Sequence, residues 1–120
     1  MATPLTMVRE FAMAMGQPLD QVRDTSSELE NMRFRLIAEE FDEFSDDSCP
    51  REESLKELAD LIYVCYGYAA TFGWNLDEAV KRVHESNMSK LGDDGKPIYR
   101  EDGKVLKGPN YKKPDLTDLV

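Results

Sequence analysis

Residues 36–44 read LIAEEFDEF, and three glutamates interrupt the apolar residues of this stretch. At about 100° per residue, Glu40 falls inside the apolar stripe of a predicted helix, with Leu36 on one side and Phe44 on the other. Burying an unpaired carboxylate costs several kcal/mol unless a cation or hydrogen bonds compensate it. The stretch therefore predicts a helix that directs acidic side chains toward a ligand.

Further carboxylates lie beside or within apolar stretches of predicted helices. Glu43 lies about 60° from Glu40 on the wheel, and Glu39 lies about 40° from Glu43. In a second apolar run, ELADLIYVCYGYAATF at residues 57–72, Glu57 and Asp60 are neighbours on one helical face, and Asp60 is the last charge. Two helices that each aim carboxylates from an apolar face favour a hard divalent cation with oxygen ligands, Mg²⁺ or Mn²⁺.

Arginines on the first of these helices do not remove the need for a cation. Arg33 and Arg35 can neutralise part of the acidic charge, but not that of five carboxylates. The other acids near the end of the helix are interpreted as ordinary solvent-facing charges.

Capping signals and helical spacing of apolar residues predict four helices, and the fold class is all-α. The expected spans are Thr3–Gly16, Ser27–Ser45, Pro50–Phe72 and Asn75–Leu91. After these, Asp102-Gly103 between IYRE and KVLK predicts a short β-hairpin with a tight turn. We expect one domain, with residues 1–92 forming its helical part and 93–120 its hairpin and extended tail.

The bulk composition limits the classes of partner. The 120 residues carry a net charge of −9, which disfavours binding to a nucleic-acid backbone. The longest apolar run is too short for a membrane span, and we expect no secretory signal because no charged n-region is followed by an apolar h-region. The two cysteines form neither a zinc motif nor a disulfide framework, so we expect a reducing, cytoplasmic compartment.

The fourth predicted helix carries polar residues suited to phosphate. Asn87 falls on its apolar seam, and Lys90 follows three residues later. An amide and an ammonium beside a metal cluster suit a polyphosphate substrate, because the metal polarises phosphate oxygens and the lysine offsets their charge. His84, the sole histidine, is interpreted as structural or surface-exposed, with a position near the substrate as the alternative.

These motifs resemble a known family. EEFDE followed by ELAD resembles the EExxE…ExxD signature of the MazG-like all-α nucleotide pyrophosphohydrolases, which include MazG, the dimeric dUTPases and phosphoribosyl-ATP pyrophosphohydrolase. VHESNMSK at residues 83–90 resembles the segment that carries an Asn and a Lys toward the substrate. The tail GKVLKGPNYKKPDL resembles that of small single-domain MazG-like proteins.

The resemblance implies a helical bundle completed by dimerisation, or by pairing dimers into tetramers, and Mg²⁺-dependent cleavage between the α and β phosphates of a nucleotide. Glu39 would orient or deprotonate the attacking water, and Asn87 and Lys90 would contact the substrate. The four metal ligands that the resemblance implies are Glu40, Glu43, Glu57 and Asp60.

Three functions remain open at this point. The first is a (deoxy)nucleoside triphosphate pyrophosphohydrolase that clears surplus nucleotides, with a dUTP-preferring enzyme as one version. The second is a phosphoribosyl-ATP pyrophosphohydrolase with the same chemistry. The third is a non-catalytic helical dimer that binds a nucleotide or a protein. The MazG-like tail and the VHESNMSK segment favour the first.

Overall fold

The computed structural model describes residues 2–24 and 27–120, and this part of the chain is mainly helical. Its elements are α1 (Pro4–Ala14), α2 (Glu28–Phe44), α3 (Arg51–Thr71), α4 (Leu76–Met88), β1 (Ile98–Tyr99), β2 (Val105–Leu106) and a 3₁₀-helix (Thr117–Leu119). The predicted all-α class with a short C-terminal hairpin is confirmed, whereas dimerisation stays a prediction. No helix of the described residues combines the length and apolarity that a membrane crossing requires.

The chain forms two compact units, one ending at Leu76 and one comprising Asp77–Val120. Within the first unit, both α1 and α2 pack against α3. Its buried core joins Leu5 and Val8 of α1 to Ala70 of α3. The predicted grouping of 1–92 and 93–120 in one domain stays a prediction.

The helix starts follow from local hydrogen bonds. Thr3 Oγ1 accepts from the Thr6 backbone N–H (3.2 Å), and Thr6 Oγ1 accepts from the Thr3 N–H (2.8 Å), which satisfies donors at the start of α1 reciprocally. The Ser27 side chain accepts from the Glu30 N–H (3.1 Å) and caps α2 as predicted. The Glu30 carboxylate, however, turns inward and pairs with Arg23 (3.0 Å).

The C-terminal half of α3 is the better-packed half. Four of its last five residues are buried, whereas the first three residues of the helix are exposed. Tyr68 stacks obliquely against Phe34 of α2 (5.5 Å between ring centroids) and against Phe72 (4.9 Å). The aromatic segment of α3 thus anchors α2 near its N-terminus and leaves the other end of the helix pair more open.

The second unit ties the tail to α4. The Ser86 hydroxyl donates to the Lys112 carbonyl (2.7 Å), and the Arg82 guanidinium pairs with Asp118 (2.6 Å). Gly108 approaches so closely that a Cβ there would lie 2.5 Å from the Lys90 carbonyl oxygen, which accepts from the Gly108 N–H (2.8 Å). The tail is therefore fixed within its unit by backbone and side-chain contacts.

The hairpin forms where Asp102-Gly103 predicted it. Ile98 pairs with Leu106 and Tyr99 with Val105 in an antiparallel register. The turn is stabilised by a bond from the Gly103 N–H to the Arg100 carbonyl (2.9 Å), and Gly103 adopts φ +88°. A positive φ is accessible to glycine at little cost, which explains why a glycine occupies this position of the turn.

Candidate functional site

Three predicted ligands meet between α2 and α3. One carboxylate oxygen from each of Glu40, Glu57 and Asp60 lies within 4.8 Å of the others, and we call these residues the carboxylate triad. Glu40 comes from the apolar stripe of α2, and the other two come from successive turns of α3. The packing of α2 against α3 therefore brings the acidic residues of two separate apolar stretches together at one site.

The triad is half-buried, and its charges are only partly satisfied. Glu40 Oε2 and Glu57 Oε2 are both buried without a hydrogen-bond partner among the described residues. Buried acceptors are nearly always paired in folded proteins, because leaving one unpaired costs the desolvation of that group. A cation held by this cluster could satisfy both oxygens.

Lys56 supplies part of the compensating charge. Its Nζ lies 2.8 Å from Asp60 Oδ2 and 3.5 Å from Glu57 Oε1. The hydrogen bond to Asp60, together with the negative charges of Asp60 and Glu57, raises the pKa of the Lys56 ammonium above its usual range. Lys56 remains largely exposed, so this contact is worth little in stability.

Sequence reasoning overlooked Lys56, although its signal was present. A lysine four residues before an aspartate on a helix places the two side chains one turn apart. Lys56 precedes the apolar run, so its position in the sequence does not mark it as anomalous in the way that the acids within the run are.

The triad fits a divalent cation by charge and by size. Three carboxylates and one ammonium leave a net charge of about −2 at the cluster, which a divalent ion neutralises. Ligands on opposite sides of an octahedral Mg²⁺ are about 4.2 Å apart, since each Mg–O bond is about 2.1 Å. The separations within the triad are compatible with this geometry after small side-chain movements.

The remaining acids of α2 lie outside the triad. The side chains of Glu39 and Glu43 are exposed. Their roles, as the residue acting on water and as a fourth metal ligand, stay predictions.

The two predicted substrate contacts belong to the second unit. Asn87 lies on α4 with an exposed side chain, whereas Lys90 lies beyond the end of α4 and is half-buried. The helix ends earlier than expected because Ser89 Oγ donates to the Ser86 carbonyl (2.6 Å) and the Lys90 N–H bonds three residues back, to Asn87 (3.2 Å). The roles of Asn87 and Lys90 stay predictions.

Metal binding can be tested by thermal unfolding. We expect Mg²⁺ or Mn²⁺ to raise the unfolding temperature of the wild-type protein, because at a roughly hundredfold excess over Kd the bound ion adds about 2.7 kcal/mol to the free energy of unfolding. Glu40→Gln should lose this stabilisation and, without metal, unfold at the same or a higher temperature because a like charge has been removed from the triad.

The matched control is Asp42→Asn, which removes an exposed charge from the same helix. It should retain the full metal-dependent shift. An equal shift in the Glu40→Gln protein would contradict the site.

The competition between Lys56 and the metal gives a second prediction. Lys56→Met should tighten binding of Mn²⁺ by about twofold, because an ammonium no longer occupies Asp60 Oδ2 and an exposed pair of this kind is worth about 0.3–0.5 kcal/mol. Titration calorimetry with Mn²⁺ measures the change. Weaker binding would show that the lysine assists the metal instead of opposing it.

Comparisons with known proteins agree with this geometry. The family model described as "Phosphoribosyl-ATP pyrophosphohydrolase" matches residues 8–87, which include the whole carboxylate triad. The chain is also 30% identical over 115 residues to "Uncharacterized protein L479" of Acanthamoeba polyphaga mimivirus. That alignment covers 88% of the chain but only 43% of the viral protein, so the chain spans less than half the length of this relative. On the family match, the chain belongs to the phosphoribosyl-ATP pyrophosphohydrolase family, within the MazG-like all-α superfamily that its motifs resemble.

Proposed function

We propose that the chain is a metal-dependent nucleoside triphosphate pyrophosphohydrolase that cleaves the α–β phosphoanhydride to give a nucleoside monophosphate and pyrophosphate. The observation that carries the proposal is the half-buried carboxylate triad with its two unpaired oxygens, in a chain of a pyrophosphohydrolase family. Such a cluster is costly to fold, and a cation that also binds phosphate explains why it is present.

The residues divide the chemistry between them. Glu40, Glu57 and Asp60 would hold the divalent ion, with Glu43 as a further ligand. When bound, the ion would polarise phosphate oxygens and lower the pKa of a coordinated water. Glu39 is exposed on α2 and would take a proton from the attacking water as a general base.

Charge on the phosphates also needs cations from the protein. We assign this role to Lys90, with Asn87 donating a hydrogen bond to a phosphate or sugar oxygen. Lysine acts on phosphate as a compact point charge, and an amide adds direction. The close contact of Gly108 with the Lys90 carbonyl would hold the lysine-bearing turn in place within its unit.

Deoxynucleoside triphosphates are the proposed substrates, dUTP among them, and clearing unwanted nucleotides is the proposed role. Phosphoribosyl-ATP is a second candidate, because the matching family model carries the name of that activity. Both substrates present a phosphoanhydride to the same residues, and they differ in what lies beyond the phosphates.

A substrate panel tests the reaction. We expect release of pyrophosphate and monophosphate from one or a few of the nucleoside triphosphates in Mg²⁺ and none in EDTA, as measured by chromatography and a pyrophosphate assay. Asp60→Ala should lower kcat/KM by about a hundredfold or more, equivalent to about 2.7 kcal/mol, because a metal ligand is lost.

Asp42→Asn is again the matched control and should retain near-wild-type activity. Turnover of phosphoribosyl-ATP with none of the triphosphates would select the second candidate. Pyrophosphate release that persists in EDTA, or an active Asp60→Ala protein, would refute the proposed mechanism.

We further propose that a second copy of the chain covers an apolar groove between α1 and α3. The groove measures about 350 Å³, and its lining is almost entirely apolar. Leu55, Leu58 and Ile62 follow a helical spacing along its α3 wall and are 68%, 38% and 47% exposed. Large contiguous apolar patches are rare on the surfaces of monomeric proteins and usually mark interaction sites. Self-association as a homodimer would bury this one.

The oligomeric state of a charged variant tests this surface. Sedimentation should give the mass of two or four 13.7-kDa chains for the wild type and a smaller species for Ile62→Asp, because a buried unpaired carboxylate opposes association. Val22→Asp makes the same change at a 92%-exposed position outside the groove and should not alter the mass. A monomeric wild-type protein would exclude the dimer.

A further inference from the structure

A second, smaller cavity of about 120 Å³ lies among α1, α2 and α3. Its walls are mainly apolar, and Arg33 alone is charged among the described residues that line it. Arg33 is only 6% exposed, and its Nε has no hydrogen-bond partner within the described chain. A buried cation without a counter-charge costs several kcal/mol, so this arginine opposes stability in the ligand-free protein.

Arg33 forms no ion pair in the described segments 2–24 and 27–120. Glu30, one turn earlier on α2, pairs with Arg23 through Oε1, and its buried Oε2 also has no hydrogen-bond partner among the described residues. Burial lowers the pKa of the Arg33 guanidinium, but an arginine remains protonated at neutral pH even so.

The backbone of α3 makes room for the guanidinium. A Cβ at Gly67 would lie 3.0 Å from Arg33 Nη1, closer than a methyl group ordinarily approaches. The absence of a side chain at this position lets the charged group lie against the helix. Within the described segments, the guanidinium is thus held by packing, and its Nε–H is left without a partner.

The cavity continues the seam that contains the carboxylate triad. Arg33 precedes Glu40 by seven residues on α2, and Gly67 follows Asp60 by seven residues on α3. Seven residues are about two helical turns, so each pair shares a helix face, and the rise between its members is about 10 Å. A nucleotide whose phosphates lie at the triad can extend its base along this seam.

We propose that Arg33 is a specificity-determining residue that donates hydrogen bonds to the 4-keto group of a pyrimidine base. This inference rests on the proposed function and names the substrate class of the same site: nucleoside triphosphates of uracil and thymine, in preference to cytosine.

The chemistry of the cavity selects such a base. A guanidinium only donates hydrogen bonds, so it pairs with a keto oxygen and opposes the amino group that cytosine carries at the same position. The cavity volume is well below the roughly 300–1,000 Å³ of pockets that hold a whole drug-sized ligand, which favours a single ring. In a pyrimidine nucleotide the 4-position lies across the ring from N1, which bears the sugar. The 4-keto group would therefore enter the cavity deepest.

Aromatic groups flank the same cavity. Phe11 and Tyr63 meet edge to face, with ring centroids 5.8 Å apart, and both contribute to its lining. Gln17, which also lines it, adds an amide at the end of α1. An apolar cleft with few placed polar groups is the usual composition of a site that recognises a flat ring.

The test compares dUTP, dTTP and dCTP as substrates in Mg²⁺. We expect the wild type to prefer dUTP and dTTP to dCTP by at least about tenfold in kcat/KM, because a site built around a hydrogen bond rejects an analogue that lacks the partner. Arg33→Met should abolish most of this preference by lowering kcat/KM for dUTP and dTTP, while kcat/KM for dCTP stays the same or rises because the opposing donor is gone. Its thermal unfolding midpoint without nucleotide should stay the same or rise, since an unpaired charge is removed.

Two further variants sharpen the result. Arg35→Gln removes an exposed arginine from the same helix and should leave the preference unchanged. Gly67→Ala retains Arg33 but crowds its guanidinium, and should reduce the preference without removing metal-dependent cleavage of dCTP. Equal losses for all three substrates in Arg33→Met, or a wild type that does not prefer a 4-keto base, would overturn the inference and leave the proposed function standing.

A binding experiment tests the role of Arg33 even if the proposed hydrolytic function is wrong. If no triphosphate is hydrolysed, the proposed function fails, and calorimetry with α,β-imido-dUTP and α,β-imido-dCTP still tests Arg33. Tighter binding of the uracil analogue that disappears in Arg33→Met would support the role of Arg33. Equal binding of the two analogues, or no binding of either, would refute it.

Discussion

Mutual repulsion among three half-buried carboxylates is the constraint on which the rest of this structure depends. Glu40, Glu57 and Asp60 bring three negative charges within 4.8 Å of one another along the contact between α2 and α3. At such distances each like-charge pair costs about 1 kcal/mol in water and several times that near a protein surface of lower effective dielectric. The two helices must therefore be held together by contacts elsewhere.

Those contacts are concentrated toward the other end of the helix pair. The buried last turns of α3 pack with the core residues of α1, and Tyr68 joins Phe34 and Phe72 in an aromatic cluster. The Arg23 guanidinium links Glu30 to Tyr68, donating from Nη2 to the carboxylate and from Nε to the phenolic oxygen. Apolar packing there offsets the unfavourable electrostatics at the triad.

Arg33 is likewise a charged group enclosed by apolar residues, but its charge is positive. Its guanidinium is enclosed in an apolar cavity, just as the triad is partly enclosed between apolar helix faces. Unsatisfied charges of both signs along one seam make the ligand-free fold less stable than an apolar seam would be. They also leave donors and acceptors without partners among the described residues, which the proposed ligands would satisfy with little further ordering.

The sequence by itself determined the local features, because these depend on residues close in the chain. The caps at Thr3 and Ser27, the hairpin turn at Gly103 and the four helices followed from hydrogen-bonding side chains, permitted φ angles and apolar spacing. Helical periodicity also identified Glu40, Glu57 and Asp60 as anomalous, and from their chemistry a divalent-cation site was predicted, which stays a prediction.

Only the tertiary structure decided which charges meet and which remain unpaired. The contact of α2 with α3 brought Glu40 to Glu57 and Asp60, whereas Glu43, on the same helix, stayed exposed and outside the group. Arg23 paired with Glu30 across a connector, and Arg33 has no partner for its Nε–H in the described part of the chain, neither of which a pattern within α2 could reveal. Burial and pairing depend on how distant segments pack, and helical spacing specifies only the face on which a residue lies.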